Sequence, residues 1–266
     1  MADAVAEYAR HRVAADRWAL GRFVVPLSRW EELQAAVRAT ADPQDSWHLS
    51  VLASPEDGDR LRDAMAGEGQ LVVQSVECKA STPDDAAIAA EVASLGLEVF
   101  VEPTSLQDFA PMATVMARGR LAAKIRTGGV TTDAFPTPAQ VLDFLGVCRR
   151  AGLRFKATAG LHHAVRGEYR LTYEPSPPTG EMFGFLNVAV AAALCWHGRG
   201  DEVVLGSLGE HTLGAFAFTD AGLQWRDERL TVEELADARA NFFVGFGSCS
   251  FREPMAEIGL EASRRP

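Results

Sequence analysis

The chain has 266 residues, 47% of them hydrophobic and 23% charged, with a net charge of −10 and an isoelectric point near 5.1. That length suits one barrel-sized domain or two small ones, and the composition is ordinary for a globular protein. An acidic balance without any Lys/Arg run excludes a nucleic-acid partner, and the longest apolar stretch, residues 182–196, is too short to span a bilayer.

Four widely spaced cysteines (Cys78, Cys148, Cys195 and Cys249) form no CxxC pair and no zinc-like cluster. With no charged-then-apolar leader, the expectation is a soluble cytoplasmic protein with reduced thiols, no cofactor and no membrane partner; a homo-oligomer is compatible with the sequence.

In chain order, residues 3–20 read as one helix. Strand-like runs then begin near Phe23, Trp47, Leu71, Leu97, Leu121 and Arg154, the first four intervals being about 25 residues. Helix-like stretches fill the gaps at 29–41, 55–67, 82–96, 105–119 and 137–152. Several open on a Ser/Thr cap or a proline and stop at glycine, as Thr137, Pro138 and Gly152 do. A strand, a helix and a strand at this spacing form a βαβ unit, whose crossover forces parallel pairing. The runs look apolar on both faces, as doubly covered strands require. An open doubly wound sheet needs a reversal of strand order, which nothing marks. The predicted fold is therefore α/β, a (β/α)8 TIM-type barrel forming one domain over residues 1–266.

Two irregularities accompany that rhythm. No strand precedes Phe23, so the first barrel strand is either missing or supplied by residues 203–219. After residue 164 a long insertion, about 165–240, precedes the last strand. It reads as an irregular loop with a Pro-rich tip at 175–178 that is a candidate flap. An apolar helix at 182–196 follows, then a strand–turn–strand unit at 215–231 turning at Asp220–Gly222. A strand-like run at 242–251 and a helical stretch at 253–262 close the chain.

The lysines are the unusual feature. The chain has 26 Lys plus Arg, of which three are lysines, Lys79, Lys124 and Lys156, all inside strand-like runs. Lysine is costly to bury, yet unlike arginine it can lose its proton and its free amine can attack a carbonyl. Chemistry in parallel barrels sits at strand C-terminal ends. That places Glu77, Lys79, Glu102, Lys124, Arg126, Lys156, Thr158 and the Gly247–Ser250 turn together. Lys124 and Lys156, on consecutive βα units, fall on neighbouring strands at matching heights. Two unit charges about 4 Å apart repel by about 4 kcal/mol at an effective dielectric of ~20. That is enough to leave much of one amine neutral near pH 7.

The runs "KIRTGG", "FKATAGL" and "FGSCS", preceded by "EVFVEP", resemble the deoxyribose-phosphate aldolase family of class I aldolases over residues 70–165 and 240–252. The resemblance implies that Lys124 forms the Schiff base and that Lys156, 32 residues on, depresses its pKa. It puts Glu77 in the place of a proton-shuttling aspartate, with Glu102 beside it. It implies that Thr127, Gly128, Gly160 and His162 line the substrate side, and that Gly247, Ser248 and Ser250 help hold an anionic group. Lys79 and Thr158 join them from the strand-end reading. Three departures are visible. Arg126 stands where the family has a small polar residue, His162 and His163 replace a glycine and a basic residue, and the insertion is foreign to the family. Arg126 points to an anion near the reacting carbon, such as a carboxylate. The expected substrate is thus a small anionic carbonyl compound other than deoxyribose 5-phosphate.

Other readings use the same residues. Lys124 and Lys156 can form a structural ion network with Glu77 and Glu102, in a barrel that binds a small anion without chemistry. A metal-dependent lyase or hydrolase would use His162 and Glu102, although adjacent histidines on a strand end point to opposite sides. The turn at Gly247 and Ser248 can cradle a phosphate or simply be tight. Cys249 reads as a packed residue, because no sequence-adjacent base activates it.

Overall fold

The computed structural model describes residues 1–40, 45–67, 69–131, 134–248 and 250–259. Helix α1 (Ala2–Arg12) and a short 3-10 turn (Arg17–Ala19) lead into strand β1 (Phe23–Pro26). Five strand–helix repeats follow in order: α2 (Trp30–Thr40), β2 (Trp47–Leu52), α3 (Gly58–Ala66), β3 (Leu71–Ala80), α4 (Pro83–Ala93), β4 (Glu98–Pro103), α5 (Phe109–Arg118), β5 (Ala122–Arg126), α6 (Pro138–Ala151) and β6 (Phe155–Thr158). Each of the six strands starts within one residue of its expected position. The predicted boundary signals act as such. Thr82 caps α4 and Thr137 caps α6 in reciprocal boxes with Asp85 and Gln140, each with proline at the first turn, and Gly152 ends α6 at φ 67°.

The insertion contains a hairpin of β7 (Gly167–Arg170) and β8 (Thr179–Met182), then α7 (Phe185–Trp196) and α8 (Asp201–Leu208). A three-stranded meander of β9 (Phe216–Thr219), β10 (Gly222–Trp225) and β11 (Glu228–Thr231) comes next, then α9 (Val232–Asn241). Strand β12 (Phe243–Gly247) and helix α10 (Arg252–Glu257) complete the order. The main sheet has seven parallel strands, β1-β2-β3-β4-β5-β6-β12, curled into part of a barrel. Among the described residues no helix is long and apolar enough to cross a membrane.

The expected closed eight-stranded barrel is corrected by this topology. Strands β1 and β12 end the sheet and do not pair with each other among the described residues. The first strand is not supplied by residues 203–219, which form α8 and β9, and β9 belongs to the separate meander. What links the two ends is aromatic: the His11 ring of α1 lies 4.8 Å from Phe251, while Tyr8 packs at 5.1 Å on Phe23 and 5.2 Å on Trp47. The stretch read as an irregular loop holds the β7–β8 hairpin, and the strand–turn–strand unit has a third strand.

The strands are also not apolar on both faces. One face carries Val76, Cys78, Val99, Val101, Ala123, Ile125, Phe155 and Ala157, all buried against the helices. The other carries Ser50, Ser75, Glu77, Glu98, Glu102, Lys124 and Lys156. The inner face accepts charge because its buried carboxylates and ammoniums pair with one another.

Separate segments of the insertion are tied to one another by one buried side chain. Asn187 Oδ1 accepts hydrogen bonds from the amides of Arg166 (2.8 Å) and Gly184 (3.2 Å), and its Nδ2 donates to the carbonyls of Ser207 (2.7 Å) and Glu210 (2.8 Å). All four capacities of the amide are used. Gly184 is obligatory here, because a Cβ would lie 2.2 Å from the Ala164 carbonyl oxygen.

Candidate functional site

The site is a layer of charges on the inner face of β3 to β6. Register puts Glu77 opposite Phe100, Lys79 opposite Glu102, Lys124 opposite Lys156 and Arg126 opposite Thr158. Alternation along each strand brings these residues to one side. Glu77 is the hub: its Oε1 accepts from Ser50 Oγ at 2.7 Å and from Lys156 Nζ, and its Oε2 pairs with Lys124 Nζ at 3.0 Å. Ser75 Oγ donates to Ser50 Oγ at 2.8 Å. Lys124 Nζ also meets Glu102 Oε2 at 2.7 Å, and Arg126 Nε donates to Glu102 Oε1 at 3.1 Å. The result is a continuous chain, Ser75–Ser50–Glu77–Lys124–Glu102–Arg126, with Lys156 branching from Glu77.

Burial sharpens every charge in this chain. Glu77, Glu102 and Lys124 are 4%, 5% and 7% exposed. Burial alone would push the Glu77 carboxyl up; the pull of Lys156 and Lys124, with hydrogen bonds from Lys156 and Ser50, outweighs it and holds Glu77 below the usual carboxylate range. Glu102 is likewise held low, its burial outweighed by Lys124 and Arg126. Lys156 is shifted the other way. Burial lowers its pKa, Glu77 opposes the shift, and Lys124 and Arg22 add to it. Its Nζ also lies 4.4 Å from the Phe100 ring centroid, a favourable but weaker contact.

The expected lysine pair is therefore present and in register, but a carboxylate stands between its members. The anticipated mutual repulsion is largely offset by Glu77, and the amine whose pKa falls is Lys156, chiefly through desolvation. One layer below, Arg22 bonds Gln74 (3.0 Å) and Glu98 (2.7 Å), and Arg154 meets Glu98 at 3.1 Å. In the upper layer four cations, Lys79, Lys124, Lys156 and Arg126, face two carboxylates, Glu77 and Glu102. An excess of positive charge is thus gathered on the inner face of a chain whose net charge is −10.

The remaining expected residues lie at the rim. Lys79 is exposed and makes no ion pair among the described residues. Thr127 is fully buried, its hydroxyl donating to the Ala159 carbonyl at 2.6 Å, which ties the exit of β5 to that of β6. Gly128 and Gly160 touch backbone to backbone: a Cβ on Gly128 would lie 3.0 Å from Gly160 Cα, and Gly160 sits at φ 74°. Thr158 Oγ1 is buried without a hydrogen-bond partner among the described residues. Gly247, in register with Thr158, ends β12. His162 Nδ1 lies 2.9 Å from Glu253 Oε2 and 3.3 Å from Ser248 Oγ, while Ser250 Oγ accepts the Glu253 amide at 3.2 Å. Ser248 and Glu253 approach the same ring nitrogen, so this is not a nucleophile–base–acid relay, which needs both nitrogens. His163 stacks on Tyr169 at 3.5 Å and bonds Glu257. Cys249 lies outside the described residues. No group of three or more His, Cys, Asp or Glu among the described residues could hold a metal.

Ser50, Ser75, Phe100, Arg22, Glu98 and Arg154 belong to the same face and were not singled out by the sequence. A serine inside "WHLSVL" was the available signal for Ser50, and only strand register could join it to Glu77. A cavity of about 460 Å³ lies elsewhere, lined by Arg149, Arg150, Cys195 and Asp201 among others and by none of the site residues. No protein-family model matches the chain, and no curated protein matches it.

Proposed function

We propose that the chain is a carbon–carbon lyase of the class I aldolase kind, acting through an imine between an inner-face lysine and a small anionic carbonyl substrate. The observation that carries the reading is the placement of two amines, in register on adjacent strands, against one buried carboxylate. The imine-forming lysine is Lys124, following the motif resemblance. Lys124 Nζ passes its ammonium proton to Glu102, 2.7 Å away, and the freed lone pair forms the bond to the carbonyl carbon. The carbonyl oxygen leaves as water, taking one proton from the amine and one from an acid, for which the Lys156 ammonium is at hand through Glu77. Glu77 and Glu102 then move protons, and the protonated imine draws electrons from the carbon–carbon bond that breaks or forms. A second assignment, Lys156 as the nucleophile, is favoured by its lowered pKa and by its side-chain exposure of 15% against 8% for Lys124.

Borohydride reduction in the presence of a panel of aldehydes and keto acids, followed by peptide mass spectrometry, tests the proposal. A reduced adduct is expected on the Lys124 peptide and is lost in Lys124→Arg; an adduct on the Lys156 peptide selects the second assignment. A panel that leaves both lysines unmodified rejects the mechanism in favour of an anion-binding ion network.

A further inference from the structure

We infer that the substrate is a small 2-oxo acid, whose carboxylate is gripped by the free edge of Arg126; this rests on the amine site proposed above. Glu102 holds both ends of the argument, with Lys124 Nζ on one oxygen at 2.7 Å and Arg126 Nε on the other at 3.1 Å. A carboxylate is about 2.2 Å across its oxygens, so the guanidinium is fixed within one small molecule's length of the amine. Two residues along a strand correspond to about 6–7 Å, the same scale. An anion one bond from the carbonyl carbon fits that span, and a long phosphorylated chain does not.

The binding groups are unspent. Arg126 uses only Nε among the described residues, and at 46% side-chain exposure its two terminal amino groups are open to a planar two-oxygen partner. Thr158, in register with Arg126, has a buried hydroxyl oxygen lacking a partner among the described residues. Lys79, opposite Glu102, adds a second cation at the rim.

The turn after β12 offers an anion less. Ser248 Oγ is engaged with His162, and the Glu253 carboxylate lies there, bonding His162 at 2.9 Å and the Tyr173 hydroxyl at 3.0 Å. A phosphate in that turn would meet a like charge.

The test compares borohydride trapping with pyruvate and with propanal, which is similar in size but lacks the carboxylate, in the wild type, Arg126→Gln and Arg126→Lys. Pyruvate is expected to be trapped at lower concentration than propanal. The ratio of the two yields should fall about tenfold in Arg126→Gln. Arg126→Lys should fall in between, since it keeps the charge without the two-pronged geometry. Matching thermal midpoints show that the variants are folded. Equal trapping of both compounds, with a ratio insensitive to Arg126, overturns the carboxylate site while the amine site stands. Ligand-observed NMR of pyruvate separates the converse case. Arg126-dependent binding without any adduct keeps the carboxylate site and rejects the imine, and no binding and no adduct overturns both.

Discussion

Replacing Glu77 with glutamine keeps the shape of the hub and removes its charge. Glu77 is 4% exposed and pairs with Lys124 at 3.0 Å and with Lys156. In the variant Lys124 retains Glu102, but Lys156 is left buried without an anion. Removing one partner of a buried pair costs about 3–5 kcal/mol. A separate bound comes from the proton. Lys156 escapes the penalty by becoming neutral, and neutralising a lysine of ordinary pKa near 10.4 at pH 7 costs about 4–5 kcal/mol. The two bounds agree. At pH 10 the unfolded chain's lysine is itself close to losing its proton, so the same escape costs about 0.7 kcal/mol. The destabilisation measured from urea midpoints should therefore be about 3–5 kcal/mol at pH 7 and about 1 kcal/mol at pH 10. A loss that is the same at both pH values, or under about 1 kcal/mol at pH 7, refutes the buried-charge reasoning.

The acid side gives a second expectation. Glu77 and Glu102 are held below the usual range, so the stability they contribute is fully present above about pH 4.3 and is lost as pH falls through their lowered pKa values. Urea midpoints between pH 5 and pH 2 should fall less steeply in Glu102→Gln than in the wild type, and equal slopes would contradict it. Asn187→Ala leaves the amides of Arg166 and Gly184 and the Glu210 carbonyl without their partner, while the Ser207 carbonyl keeps the Glu210 amide, and should cost about 3 kcal/mol, with the β7–β8 hairpin and α8 losing hydrogen-exchange protection first. Burial pushes the Cys78 thiol up to about 12 and raises Cys148 and Cys195 as well. A Cys249→Ser protein should accordingly show no fast-reacting thiol at pH 8 when folded and three when unfolded.

The strand rhythm was legible because each βα unit carries its own punctuation: Thr82 with Pro83, Thr137 with Pro138, and Gly152 at a positive φ. The placement of lysines in strands was legible too, since arginine serves every other cation in the chain. What escaped is what depends on register or on distant pieces. "GEYR" and "TGEM" are short, polar strands without a hydrophobic alternation, so the β7–β8 hairpin read as loop. The Ser75–Ser50–Glu77 relay joins small polar residues on two strands, which no spacing announces. Glu253 and Glu257 reach back from α10 to His162 and His163 across 91 and 94 residues. Glu77 between the lysines was named in the sequence as a proton carrier. Its position as the anion shared by Lys124 and Lys156, and the burial that lowers the Lys156 pKa, required the side-chain geometry.

With three lysines in the chain, a protein labelled at lysine Cε gives three NMR signals, assignable by single Lys→Arg replacements. Following them with pH measures the state of the inner-face amines directly. The Lys156 signal should titrate below the ordinary lysine value of about 10.4. A midpoint at or above that value would contradict the claim that burial on this face makes Lys156 give up its proton more readily than a lysine in water.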